Sequence, residues 1–493
     1  MLQQVRRVLK DFTVYGIGSI LPKAVAFLLI PVYTRFLTPE DYGILSLATM
    51  IATMATVALT LGQNGSLTLY FRSSQAEEDG EAGIRSMLFS VVVAVLAFGA
   101  AATALLMWAG PKVTPSLLSS ERITFDPYLQ TALWIAYLGV PLALLQAVNR
   151  ARGQAKTHTT FQLASFAVNV SATLYFIAAL RQGAIGSLRG TLTATLVLLP
   201  VALALLVREM EFKFSWHWLK RSLVFGLPLV PHYFAGWLLT FADRYMLERL
   251  STIEAVGLYS LAYNVSMALS LVTSSLNQAW GPIYYDMAGD EDQRGLLPRL
   301  STIYAAGVTI AAIAFLALSR ELLVILAAER YWEAAGVVPI VTAGYYAFAM
   351  YSVLSTGTFF AKRTGRIMLL TSFAAAANIG ANLLLIPRYG MYGAAWATLI
   401  SYTLMAIGAR VLTGWSMPGS LEDGKLLRAT IVFAVAFVGN HAIDGFALPL
   451  AADILAKLAL VAASAGLLMV GGVVSAHEVR RFIARMGRRN GSA

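Results

Sequence analysis

The chain has 493 residues, of which 58% are apolar and only 13% charged, with a net charge of +11 and no cysteine. A water-soluble domain carries about 25% charged residues, so this surface must face lipid; disulfides, thiolate metal sites and cysteine nucleophiles are excluded. The surplus of Lys and Arg reads as the cytoplasmic loops of a membrane protein rather than as a nucleic-acid surface.

Apolar runs long enough to cross a bilayer, about 20 residues each, recur from end to end. They predict helices at 12–36, 42–70, 87–109, 128–148, 159–180, 184–207, 223–248, 255–283, 299–319, 335–360, 367–386, 391–413, 427–443 and 452–474. The runs are unbroken, which excludes the short alternating segments of a β-barrel. The first is too long for a cleavable signal peptide and reads as a membrane helix. The loops are short and leave no room for a soluble catalytic domain. With the N-terminus inside, 25 basic residues fall on the inner side and 10 on the outer, with Lys23 and Arg244 within spans. That bias predicts an even number of spans and both termini in the cytoplasm.

The second half echoes the first. Pro22-Lys23 matches Pro231-His232, Arg35 matches Arg244, and YGILSL at 42–47 matches VGLYSL at 256–261. Gln63-Asn64 meets Asn277-Gln278, Tyr70 meets Tyr284, Asn169 meets Asn378, and the spacing of Gly183 to Gly186 recurs as Gly390 to Gly393. The repeat unit holds six helices, so both copies enter the membrane in the same orientation. The expected fold is an all-α integral membrane protein of about fourteen helices. It comprises two six-helix bundles related by a pseudo-twofold along the membrane normal, plus two extra C-terminal helices. The expected boundaries are an N-terminal lobe at 1–207, a cytoplasmic linker at 208–222, a second lobe at 223–414, the extra helices within 427–474 and a basic tail at 475–493.

Ionisable groups inside a bilayer are costly, so each needs a partner or a function. Lys23 lies near the midplane of the first span, after Pro22. It reads either as a cation facing a central cavity or as half of a buried pair with Asp243. Arg35 and Arg244 occupy equivalent places, and arginine holds phosphate bidentately at any relevant pH. They read as a diphosphate clamp, with a snorkelling role open for Arg35. Asp243 is the carboxylate placed to carry a coupling proton, or else a structural counter-ion. Gln63, Asn64, Asn277 and Gln278 form two matching amide pairs that bind sugar hydroxyls or join helices. Trp280, Tyr33 and Tyr70 are candidates for stacking on sugar rings, and His232 is the counterpart of Lys23. The linker alternates Phe212, Phe214, Trp216 and Trp218 with Lys213 and His217, the pattern of an interfacial element. Histidines and carboxylates show no metal-ligand spacing, and no phosphate-binding loop is present. The reading therefore includes no metal, no cofactor and no catalytic residue.

Three blocks resemble the Wzx-type polysaccharide flippases: YGIGSILPKAVAFLLIPVYTRFLTPEDYGILSLATM from Tyr15 to Met50, GLPLVPHYFAGWLLTFADRYML from Gly226 to Leu247, and NIGANLLLIPRYGMYGAAWATLIS from Asn378 to Ser401. These belong to the polysaccharide-transporter branch of the multidrug/oligosaccharidyl-lipid/polysaccharide exporter superfamily. The resemblance implies two six-helix bundles around a central cationic cavity. It also implies an undecaprenyl-diphosphate-linked oligosaccharide as substrate, with Lys23, Arg35 and Arg244 on its diphosphate or acidic sugars. His232 in place of a second lysine departs from strict symmetry. The expected role is transport across a bacterial inner membrane by alternating access. The expected partners are the lipid-linked oligosaccharide, membrane lipids and proteins of polysaccharide biosynthesis such as polymerases, with no nucleic acid. A drug/cation antiporter of the same fold, a membrane-embedded glycan polymerase or ligase, and a structural scaffold are the alternatives.

Overall fold

The computed structural model describes residues 21, 24–73, 80–416, 421–446, 448–475 and 477. Every regular element among them is helical. In chain order these are α1 (Ile30–Phe36), α2 (Pro39–Leu59), α3 (Gln63–Ser73), α4 (Gly80–Leu117), α5 (Gln130–Ala151), α6 (Ala155–Leu174), α7 (Gly183–Glu209), α8 (Trp216–Gly226) and α9 (Leu229–Leu250). There follow α10 (Ile253–Ser266), α11 (Ala268–Gly289), α12 (Leu297–Leu326), α13 (Val338–Phe360), α14 (Thr364–Ser416), α15 (Asp423–Gly445) and α16 (Leu450–Val470). Two compact units emerge, Met1–Gly257 and Leu258–Ala493.

Among the described residues, 12 helices are long and apolar enough to cross a membrane. One of these is a hairpin. Residues 23 apart on a straight helix stand about 35 Å from each other. In α14, Asn378 Nδ2 donates to Ser401 Oγ at 3.4 Å, so the helix folds back on itself between them. The reversal sits at Gly390, where φ is +52°. The expected spans 367–386 and 391–413 are therefore two helices. Residues 12–20, 22 and 23 of the expected first span lie outside the described residues; its end is α1. Two other expected spans are each broken. The run at 42–70 divides at Leu61 and Gly62, with φ of +50° and +71°. The run at 255–283 divides at Met267.

The outward faces show why lipid is the solvent. On α15, Leu427, Ile431, Val435 and Val438 share one stripe, and all four are exposed. Such a stripe would aggregate in water and is stable only against acyl chains. Inside the first unit, Leu67 of α3, Met87 and Val91 of α4, Leu144 and Val148 of α5, and Leu206 of α7 close a common core.

Local chemistry fixes the helix starts. Thr38 caps α2: its hydroxyl accepts from the Asp41 N–H at 3.0 Å, while Asp41 Oδ2 accepts from the Thr38 N–H at 3.1 Å. This reciprocal box satisfies two helix-end donors. The other Asp41 oxygen accepts the Ala184 N–H at 3.1 Å and so ties the start of α7 to that of α2. Gly183 precedes it with φ of +59°, and a Cβ there would lie 2.9 Å from the same Asp41 oxygen. Left-handed backbone at Gly183 and Gly390 falls on one of the sequence-repeat anchors. Gly153 and Lys362 form a second such pair, each with positive φ. The turn signals of the first unit thus recur in the second.

The linker and α9 pack into the first unit, which is why that unit extends to Gly257. Trp218 of α8 is buried edge-on against Tyr70 at 6.2 Å between ring centroids. Phe212, Phe214 and Trp216 remain exposed. Trp237 of α9 donates to the carbonyl of Met50 at 3.1 Å. Near the end of α9, Glu248 Oε1 accepts the N–H groups of Ser119 and Ser120 at 2.6 and 2.7 Å. Glu248 is buried, so Glu248→Ala leaves two amides without their acceptor and should cost about 2 kcal/mol. Thermal unfolding of the detergent-solubilised protein checks this, with Glu248→Gln expected to retain part of the bond.

Candidate functional site

In the first unit, the backbone turn at Leu61-Gly62 sets Gln63 at the start of α3. Gln63 is fully buried. Its side-chain oxygen accepts from the Ser222 hydroxyl of α8, and that hydroxyl also lies 2.5 Å from Ser66 Oγ. Gln63 Nε2 donates to the carbonyl of Leu61 at 3.3 Å. The Gln63 amide is thus engaged on both sides, by Ser222 of α8 and by the Leu61 carbonyl. Its neighbour Asn64 differs. Asn64 Oδ1 is buried and has no hydrogen-bond partner among the described residues. A buried acceptor of this kind is costly until a donor arrives.

Helix α9 is polarised along its length. His232, in its first turn, is exposed. Asp243, Arg244 and Glu248, in its last two turns, are buried. Arg244 is only 5% exposed. Its Nη1 donates to the Thr240 carbonyl at 2.9 Å, and its guanidinium lies 5.1 Å over the ring of Phe241. Stacking a guanidinium on an aromatic face offsets part of its lost hydration. Arg35 stands exposed in the last turn of α1. Lys23 lies outside the described residues.

In the second unit, Asn277 on α11 accepts from the Tyr304 hydroxyl of α12 at 2.6 Å. Tyr304 stacks on Trp280, with ring centroids 5.0 Å apart and planes 6° from parallel. Trp280 Nε1 is buried without an acceptor among the described residues. Gln278 follows Asn277 on α11, but its side chain lies outside the description. The paired-amide expectation therefore yields one engaged and one open amide on α3 and one engaged amide on α11.

Sequence reasoning missed two polar assemblies in this unit. The first is a buried seam. Asn382 donates to Asn378 at 3.0 Å, Asn378 to Ser401 at 3.4 Å, and Tyr259 meets Thr398 at 3.2 Å. A signal was present: Asn378 and Asn382 are four apart, and Thr398 and Ser401 three apart, each pair on one helical face. The second is Lys457 of α16, fully buried among Glu321 of α12, Asp444 of α15 and Asp453 of α16. The three carboxylates offer oxygens within 4.8 Å of one another. Residues so far apart in the chain meet only through folding, so no spacing rule could report them.

A family profile described as polysaccharide biosynthesis protein matches residues 8–287, more than half of the chain. The chain belongs to the polysaccharide biosynthesis protein family. Gln63, Asn64, His232, Asp243, Arg244 and Asn277 all fall within the stretch that the family shares. Protein 1 of the Lsg locus of Haemophilus influenzae is 25% identical over 299 residues, which cover 57% of this chain and 66% of that protein. A membrane protein of the same organism is 21% identical over 284 residues, covering 56% and 65%. The chain therefore spans just under two-thirds of the length of the curated relatives it matches. Among solved structures, the lipid II flippase MurJ in an inward closed conformation superposes with a TM-score of 0.73 at 13% identity, over 94% of this chain and 100% of that one. An outward-facing multidrug transporter of the MATE family, from the MOP superfamily, gives 0.57 at 15% identity, over 87% and 96%. At these identities the likeness establishes fold: this family member is a multi-pass membrane protein with the fold of MOP-superfamily transporters. The resemblance to polysaccharide flippases read from the sequence agrees with both findings.

Proposed function

We propose that the chain flips undecaprenyl-diphosphate-linked oligosaccharide from the cytoplasmic to the outer leaflet of a bacterial inner membrane, by alternating access and without covalent change. The observation that carries this reading is Arg244, a guanidinium buried in a membrane helix within the family-matched stretch. A cation buried in such a helix is retained only where it pairs or binds, and its planar fork suits a diphosphate. Lys23 and Arg35 join it as contacts for diphosphate or acidic sugar. Asn64 offers a free acceptor to a sugar hydroxyl, with Gln63, Asn277, Gln278 and His232 as further contacts. Asp243 is the carboxylate of this unit placed to carry a coupling proton.

On this reading the lobes 1–207 and 223–414 rock about the segment 208–222, while the polyprenyl tail stays in lipid through a lateral opening. The helices within 427–474 lie outside the repeat, and the basic tail 475–493 rests on anionic headgroups with both termini in the cytoplasm. Proteins of polysaccharide biosynthesis, polymerases among them, receive the product. Likeness to multidrug transporters favours export of cationic drugs as the second reading; that activity calls for an acidic cavity, whereas Lys23 and Arg244, the cations expected from the sequence to line it, are basic.

Deletion of the gene should make an undecaprenyl-linked glycan accumulate on the cytoplasmic leaflet. Lys23→Ala and Arg244→Ala should insert at normal levels and lose at least about tenfold in transport, the effect of about 1.4 kcal/mol. Full complementation by both variants would sink the diphosphate clamp, and drug sensitivity without glycan accumulation would favour the antiporter.

A further inference from the structure

The Lys457 cluster holds a charge and hydrogen-bond imbalance that its own residues do not close. Glu321 sits near the end of α12, Asp444 in the last turn of α15, and Asp453 and Lys457 in the first two turns of α16. The short connection between α15 and α16 makes a tight helical hairpin, so residues on both sides of it reach the same point. Lys457 Nζ contacts Glu321 Oε1, lies 2.7 Å from Asp444 Oδ1 and 3.0 Å from Asp453 Oδ2. The ammonium donates a hydrogen bond to Glu321 and pairs by charge with the other two carboxylates.

Three carboxylates against one lysine leave two negative charges. Arg320 lies 3.5 Å from Asp444 Oδ1 at the exposed rim and offsets one. One negative charge remains, inside helices that are apolar enough to cross a membrane. Three buried acceptors also remain without a hydrogen-bond donor among the described residues: Glu321 Oε2, Asn440 Oδ1 and Asp444 Oδ1, the last held by charge alone. Asn440 is 1% exposed, and its amide belongs to the cluster, because its Nδ2 donates to Asp444 Oδ2 at 3.3 Å. Oxygens of Glu321, Asp444 and Asp453 lie within 4.8 Å of one another, close enough for like charges to repel.

We propose that the second unit carries a site for one monovalent cation, a proton or an alkali ion, held at Glu321 within the Lys457 cluster. One positive charge closes the count. A proton on Glu321 turns Oε2 into a donor that bridges to a neighbouring carboxylate. An alkali ion uses the free Glu321 and Asn440 oxygens together with carboxylate oxygens, the hard ligands such ions prefer. A divalent ion fits poorly, because Lys457 already occupies the centre and the total would become positive. The charged groups facing Glu321 are Lys457 and Asp453 from α16, Asp444 from α15 and Arg320 beside it on α12. His441 of α15 is exposed. The site does not depend on the flippase reading; only its use to drive transport does.

The test uses the purified full-length protein in detergent, with thermal unfolding as readout and no transport step. In one arm Na+ rises from about 1 to 100 mM at constant ionic strength and pH 8, with choline as the balancing cation. In the other, pH falls from 8 to 6 without Na+. A ligand that binds only the folded state raises the melting point, here by about 3 °C or more. A gain in the first arm identifies an alkali ion, and a gain in the second arm identifies a proton. Glu321→Gln, neutral at all pH, should abolish whichever gain is seen, and Asp453→Asn should reduce it. A melting point unmoved in both arms, or moved equally in Glu321→Gln, overturns the proposal.

Discussion

Gly62→Val should largely prevent accumulation of folded protein. Gly62 has φ of +71°, and a Cβ at that position would stand 2.0 Å from the carbonyl oxygen of Gly226. The left-handed conformation alone costs a Cβ-bearing residue about 1–2 kcal/mol. The overlap adds more, because the obstacle is backbone of α8 and cannot swing aside; overpacking costs typically 1–3 kcal/mol. The neighbour is equally constrained: a Cβ on Gly226 would lie 2.7 Å from Gln63 Nε2 and 2.9 Å from the Leu61 carbonyl. Two glycines thus let α3 and α8 touch where Gln63, Ser66 and Ser222 interlock. Size-exclusion profile and melting point in detergent report the outcome. Gly62→Ala is expected to be milder but still destabilised by about 2 kcal/mol. A monodisperse Gly62→Val protein with an unchanged melting point would show that the close approach is not a feature of the native state.

Lys457→Met should be the most damaging substitution in the second unit. It leaves Glu321, Asp444 and Asp453 together inside the bundle without the ammonium that separates them. Breaking a buried ion pair by removing one partner costs about 3–5 kcal/mol. The same principle supplies the control. Replacing the whole set, as Lys457→Met with Glu321→Gln, Asp444→Asn and Asp453→Asn, removes the charges together and should restore most of the lost stability. Lys457→Met should also recover as pH falls, because protonated carboxyls no longer repel one another. Melting curves of the three proteins at pH 8 and pH 5 test this. If Lys457→Met melts like the parent at pH 8, the ammonium is not the keystone of that end of the bundle.

Much of this protein was legible before folding was considered. A composition of 58% apolar and 13% charged residues demands lipid on the outside, because no arrangement of so few charges covers a water-facing surface. The spans, the all-helical class and the repeat anchors follow from local pattern, since backbone groups in hydrocarbon must pair within their own segment. Gly183 and Gly390 carried the same message in sequence and in backbone, as left-handed residues at matching turns. Breaks at Leu61-Gly62 and Met267 were hidden, because a helix can be interrupted in a bilayer without any loss of apolar character.

What side chains do once helices meet was decided by tertiary structure alone. Nothing local distinguishes Gln63, locked to Ser222, from Asn64, left with an open acceptor; the difference is which helix passes beside each. Lys457 counted in the sequence only as one more charge near a helix end, yet folding sets it at the centre of three carboxylates from three helices. The physical reason is range. Hydropathy and glycine conformation act within a few residues and are written in order along the chain. Ion pairs and buried hydrogen bonds act across a few ångströms of space, between residues the chain keeps far apart.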